Sequence, residues 1–168
     1  MASDSEERRR GEQRARLLQF LKKIPLFADL PPGTLRKVLT ICSKIVLDEG
    51  QYLCKKGEQS NAMYILLSGK LAVKIDTAAP VATIDPINSI GEMGVFTGEP
   101  RTATVQALQK SALLLLKRSE MNVLIKRDTE FGVRIMAKVI NILSERITAD
   151  NQRMKEYQKY IITHDNVK

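Results

Sequence analysis

Between Lys44 and Lys117 the apolar pattern has a period of two and is interrupted every few residues by glycine or proline. The β-rich runs are Ile45-Val46-Leu47, Tyr52-Leu53-Cys54, Met63 to Leu67, Leu71 to Ile75, Val81 to Ile84, Thr102 to Leu108 and Ala112 to Leu116. Gly50, Gly57, Gly69, Pro80 and Pro86 stand between them. Runs this short, separated by turn residues at close spacing, do not build helices or a parallel sheet. They close on themselves as a jelly-roll or barrel.

The flanks have a different period. From Glu12 to Lys23, Ala15, Leu18 and Leu21 recur at helical spacing beside arginines, which predicts a short basic amphipathic helix ended by Pro25. Residues 1–10 are polar and charged and are expected to be disordered. Pro31-Pro32 opens a second helix with Leu35, Val38, Leu39 and Cys42 on one face. After the strands, Ser119 is expected to begin a helix, and a longer helix runs from Glu130 to about Ile161. Along it Met136, Ile140, Leu143, Ile147, Met154, Tyr157 and Ile161 alternate spacings of four and three, with Asp150 in one slot. That is a heptad seam. One reading packs its first half on the strands; the other pairs its second half with a sister helix in a parallel homodimer.

Composition excludes several classes. No apolar run approaches the roughly 18 residues that span a bilayer, and no secretory signal follows the Arg-rich start, so a cytoplasmic location is expected. Cys42 and Cys54 are isolated thiols in apolar surroundings, which reads as small core residues. One histidine, His164, in a polar tail cannot supply a metal centre, and no nucleophile–base pair can be assembled, so neither a metal nor an enzymatic activity is expected. The net charge of +8 raises nucleic acid as a partner. The charge is dispersed, however: residues 1–23 and 134–168 each carry seven basic and four acidic side chains, net +3. Interleaved signs of this kind are those of solvated helices.

The stretch Ile90 to Leu108, IGEMGVFTGEPRTATVQAL, carries the chemistry. Arg101 offers a planar, permanent cation that fits two phosphate oxygens. Gly94 to Thr97 is long enough for one helical turn whose free N–H groups face the same anion. Gly91 allows close backbone approach, and Glu92, nine residues before Arg101, supplies an acceptor for hydroxyls. Phosphate donors beside a carboxylate suit a phosphorylated sugar.

This block resembles the phosphate-binding cassette of cyclic nucleotide-binding domains. Ile24-Pro25-Leu26-Phe27-Ala28-Asp29-Leu30 is similar to the helical segment that opens such domains, and Met63 to Leu71 to their central hairpin. The resemblance covers Ile24 to about Ile125, with the shorter Glu-to-Arg spacing of protein kinase A regulatory subunits and bacterial channels. Ile87-Asn88-Ser89-Ile90 departs from it, because the family carries Gly-Asp and an aromatic there; Asn88 is expected to take the left-handed turn.

The resemblance implies an α+β fold: an eight-stranded β-roll, jelly-roll-like, flanked by N-terminal helices and a long C-terminal helix. It implies three regions: a charged N-terminal segment (1–23), the binding domain (24–128) and a C-terminal lid or dimerisation helix with a polar tail (129–168). The implied ligand is cAMP or cGMP. Arg101, the N–H groups of Gly94 and Val95, and Thr102 with neighbouring Ala103 would hold the cyclic phosphate. Glu92 and Gly91 would take the ribose hydroxyl. Val73, Val81, Ala82 and Ile84 would wall the ribose and base. Met93, Val95 and Phe96 would pack toward the C-terminal helices, from which Arg146, Asn151 or Arg153 would touch the base. Thr102 stands where many cAMP-binding kinase subunits carry Ala and cGMP-dependent kinases carry Thr. The expectation is cAMP, the commoner ligand of bacterial and channel members.

The catabolite activator relatives carry a helix-turn-helix module after the long helix, whereas here a polar tail ends at Lys168. The start at Met1 favours a stand-alone sensor acting on an unidentified protein partner over a regulatory piece of a larger protein. Two alternatives stay open: a DNA-binding regulator without a standard reader domain, and a dimerising scaffold that binds no nucleotide.

Overall fold

The computed structural model describes residues 2–76 and 79–165. The last positions of the expected polar tail, 166–168, lie outside the described residues. Eight strands form two antiparallel four-stranded sheets. These are β1 (Cys42–Leu47), β2 (Tyr52–Cys54), β3 (Ala62–Ser68), β4 (Leu71–Lys74), β5 (Ala82–Ile84), β6 (Ser89–Ile90), β7 (Thr104–Ala107) and β8 (Ser111–Lys117). One sheet has the order β1-β8-β3-β6 and the other β2-β7-β4-β5. This is the β-roll that the sequence predicts.

The alternation along β3 explains why that run is apolar throughout. Met63 and Ile65 face a core shared with the helices, while Leu66 joins the interior of the roll with Cys54, Leu71, Ile90, Val105, Ala107 and Leu113. A sheet covered on both faces needs apolar residues at every position. The pairing of β3 with β6, Tyr64 opposite Ile90 and Ile65 opposite Ser89, is a two-residue strand too short to leave a periodic signal.

The left-handed residue in the turn before β6 is Ile87, with φ of 74°, and not Asn88 as expected. Asn88 instead donates its side-chain amide to Asp85 O at 3.0 Å. Ile87 N–H donates to Leu66 O at 3.0 Å, Leu66 N–H to Asn88 O at 3.1 Å, and the Ile87 side chain packs on the helical core. Packing and paired hydrogen bonds thus hold a β-branched residue where it is intrinsically unfavourable.

At the N-terminus, helix α1 spans Ala2–Leu21, so the segment expected to be disordered is helical. Glutamate and arginine are strong helix formers, and a helix anchored by Leu17, Leu18 and buried Leu21 propagates outward at little cost. The chain then descends through tight turns that bury Ile24, Leu26, Phe27 and Leu30. Helix α2 (Pro32–Thr40) follows, with Leu35 and Val38 buried. Cys42, expected on its face, begins β1 instead and donates its thiol to Val38 O at 3.2 Å.

After the short helix α3 (Glu92–Thr97) and β8 come α4 (Arg118–Arg127) and α5 (Thr129–Asp165). Lys117, not Ser119, precedes the first turn of α4, because β8 runs straight into it and Arg118 N–H is already taken by Asn61 O at 2.8 Å. Asp128 caps α5, accepting from Phe131 N–H at 3.0 Å and pairing with Lys37 at 2.7 Å. The Lys37 hydrogen bond, then the Phe131 N–H, hold its carboxyl below the usual range.

Phe131, Ile135 and Val139 of α5 are buried, and they lie one step around the helix from the heptad seam. The seam residues Ile140, Ile147, Met154, Tyr157 and Ile161 are 56–70% exposed. The first half of α5 therefore packs on the roll chiefly through Phe131, Ile135 and Val139, and of the seam residues Leu143 joins that core. No described helix is long and apolar enough to cross a membrane. Because Phe131 is fully enclosed where α5 meets the turns after α1, Phe131→Ala is expected to lower stability by about 3–5 kcal/mol, read from the denaturant midpoint.

Candidate functional site

Two glycines bracket α3 in left-handed geometry, Gly91 at φ 77° and Gly98 at φ 87°. At Gly91 the need is also steric, since a Cβ would overlap the Arg101 guanidinium. The backbone thus passes directly over the cation, and Gly91 O accepts from Arg101 Nη1 at 3.4 Å while Ala62 O accepts from Nη2. Arg101 lies 5.5 Å from the Tyr64 ring centre and is only 8% exposed. Among the described residues the guanidinium donates to these two carbonyls and stands beside Tyr64, and neither Glu99 nor any other carboxylate pairs with it. A charge enclosed in this way without an anion is costly.

Glu92 opens α3 and is 2% exposed. Arg146 of α5 reaches it, Nη2 to Oε1 at 2.5 Å, although the Arg146 side chain is half exposed. That contact is electrostatic only, because Oε1 has no hydrogen-bond partner of proper geometry. Between these charges lies a cavity of about 220 Å³. Arg101, Glu92, Gly91, Gly94 and Thr102 give it a polar end, and Val73, Ile84, Val105 and Cys54 an apolar wall. Its size falls just short of the roughly 300–1,000 Å³ of ligand clefts, and α5 contributes Arg146 to its lining.

The structure brings together most of the residues singled out in the sequence. Gly91, Glu92, Met93, Gly94, Arg101, Thr102, Ala103, Val73, Ile84 and Arg146 all line the cavity. Val81 and Ala82 do not: both are exposed, Val81 by 56%, where the chain enters β5. The Val95 side chain, 1% exposed, belongs to the core shared with Phe131 and Ile135, which leaves only its backbone for the cavity. Asn151 is exposed and outside the lining, and Arg153 pairs with Asp150 at 3.5 Å on the helix surface. Ser60, Cys54 and Val105 were missed. Their spacing from the glycine-rich block is too great for local pattern to connect them, although Gly57, three residues before Ser60, marks the turn that brings Ser60 in.

A family profile described as the cyclic nucleotide-binding domain matches residues 44–128, just over half of the chain. The chain therefore belongs to the cyclic nucleotide-binding domain family. Similar proteins include a cyclic nucleotide-gated cation channel from Drosophila melanogaster, 31% identical over 83% of this chain and 23% of the channel polypeptide. A cyclic nucleotide-gated potassium channel of Mesorhizobium japonicum is 31% identical over 76% of this chain and 35% of the channel. The chain thus spans only a quarter to a third of these curated relatives. Among solved structures, a cyclic nucleotide-binding domain from Methylobacillus flagellatus superposes with a TM-score of 0.72 at 20% identity, covering 84% of this chain and 82% of that one. At that identity the likeness is one of fold. The N-terminal domain of a transcriptional regulator from Streptomyces coelicolor gives 0.69 at 25% identity, over 75% and 93% respectively. Among the described residues no group of three or more His, Cys, Asp or Glu is placed to hold a metal.

Burial pushes the Cys54 thiol up, with the Arg101 charge opposing, and burial with the Glu120 charge pushes Cys42 up to about 12. A thiol raised from 9.0 keeps its proton in the folded chain where the unfolded chain releases it, so stability falls as pH climbs from 9 toward 12. Alkylation by iodoacetamide at pH 9 is expected to be at least about 100-fold slower at Cys42 in the folded than in the denatured chain.

Proposed function

We propose that this chain is a regulatory sensor module that binds a 3′,5′-cyclic purine nucleotide in the cavity beneath α5, cAMP in preference to cGMP. The observation that carries the reading is the enclosed Arg101 guanidinium, which lacks an anionic partner and opens on a cavity with the acceptor Glu92 at its rim. A cyclic phosphate supplies the missing anion on Arg101, with the N–H groups of Gly94 and Val95 and the Thr102 hydroxyl alongside. The ribose 2′-hydroxyl donates to Glu92. Val73, Ile84 and Val105 offer the base an apolar wall, and guanine, which presents more polar edge atoms than adenine, loses more hydration against it. The names of the channel relatives, cyclic nucleotide-gated, point to the same ligand class.

Output runs through α5. The ribose hydroxyl and Arg146 compete for one carboxylate, so ligand frees Arg146 from Glu92 and lets it turn toward the base. Val95 and Phe96, packed in the same core as Phe131 and Ile135, carry any movement of α3 into α5. The exposed part of the heptad seam, Ile140, Ile147, Met154, Tyr157 and Ile161, suits a parallel homodimer. A helix extending this far beyond the roll gains little stability without a partner. The downstream protein would read that paired helix from the cytoplasm.

Titration calorimetry on nucleotide-free protein is expected to give one cAMP per chain at micromolar affinity or tighter, with cGMP weaker. Arg101→Ala should lose at least about 100-fold, and 2′-deoxy-cAMP should bind about 1–3 kcal/mol more weakly than cAMP. Unchanged affinity in Arg101→Ala would remove the phosphate role. Sedimentation at tens of micromolar (a concentration of the order at which weak helix pairs associate) is expected to show a dimer, and a monomer with and without nucleotide would refute the seam.

A further inference from the structure

Ser60 ends the turn after β2 and lines the same cavity, yet the binding scheme gives its hydroxyl no task. The residue is 1% exposed and Oγ has no hydrogen-bond partner. Among the described residues two buried side-chain polar atoms lack such a partner, Ser60 Oγ and Glu92 Oε1, and both residues belong to this cavity. An unpaired buried hydroxyl is a net loss to the free protein, and alanine would fill the position without it.

The surroundings are shaped to keep the hydroxyl. A Cβ at position 94 would overlap Ser60 Oγ and Cβ and come within 2.9 Å of Glu99 O, so only glycine at that point of α3 leaves room for it. The Ser60 turn is also tied to Arg101. Gly57 N–H donates to Arg101 O and Arg101 N–H donates to Glu58 O, each at 2.8 Å. Hydroxyl and guanidinium are thus held in one frame at the polar end of the cavity.

We propose that Ser60 is a further ligand-contacting residue, its hydroxyl donating a hydrogen bond to an exocyclic oxygen of the bound phosphodiester. The inference rests on the cyclic nucleotide reading and adds a contact to it. A phosphodiester anion offers only acceptors, which is what a hydroxyl with an unused proton requires. Gly94 lies against Oγ, so the contact requires α3 to shift from Ser60 when the phosphodiester binds. Because sulfur accepts a hydrogen bond poorly, a phosphorothioate with sulfur at the oxygen Ser60 contacts loses that bond, and its diastereomer keeps it.

The test is Ser60→Ala in the full chain, titrated with cAMP and with the Rp and Sp phosphorothioates of cAMP, beside thermal unfolding of the free proteins. Affinity for cAMP should fall about tenfold. The melting temperature should hold or rise, and the preference of the wild type for one diastereomer should shrink in the variant. A variant that binds cAMP as the wild type does, with the same diastereomer ratio, would overturn the Ser60 contact and leave the cyclic nucleotide reading intact. A melting temperature that falls with the affinity would make the hydroxyl structural and likewise overturn the contact. A wild type that binds neither cAMP nor cGMP would overturn both.

Discussion

An unpaired cation enclosed by its own backbone organises this molecule. Arg101 cannot lose its charge, and the fold nonetheless leaves it 8% exposed with two carbonyls and a ring face for company. Much of the local architecture follows from that placement. Gly91 has no side chain because the guanidinium lies where one would be, and β3 supplies both Ala62 O and the Tyr64 ring. The turn at Gly57 and Glu58 fixes the Arg101 backbone from the other side. Such an arrangement is least costly when an anion joins it, and the cavity beside it is where an anion can enter.

The second organising contact is that between Glu92 and Arg146. It joins the first residue of α3 to the middle of α5, two elements that also share the apolar core of Val95, Phe96, Phe131, Ile135 and Val139. An acceptor with only one occupied partner is a natural exchange point. Under the proposed function, a ribose hydroxyl that donates to Glu92 would free the Arg146 side chain to turn toward the base while Phe131, Ile135 and Val139 keep α5 anchored. In that proposal pocket and output share one electrostatic equilibrium, and the apolar packing of α3 would set how much motion accompanies the exchange.

How much of this could be read in the sequence depended on whether the signal was local. The strands of the roll were legible because alternation and turn glycines are short-range, and the Ile90 to Leu108 block was legible because its donors and acceptor lie within one stretch. The two-residue β6 was not, nor the left-handed Ile87, since pairing with Leu66 and packing on the helices hold it there against its own preference. Helix α1 was underestimated because charge was read as disorder in residues that favour helix strongly. Val81 and Ala82 were placed at the cavity wall by the family resemblance, which carries over a position along the strand but not the exposure of this chain's entry into β5. Ser60 and Val105 lay beyond any local window.

The central claim is that filling the cavity changes the state of α5 through Arg146. Amide hydrogen exchange along α5, with and without saturating cAMP, tests it most directly. The predicted result is slower exchange in the turns around Arg146 when nucleotide is bound, together with protection of α3. Identical exchange along α5 while calorimetry shows the cavity occupied would contradict it.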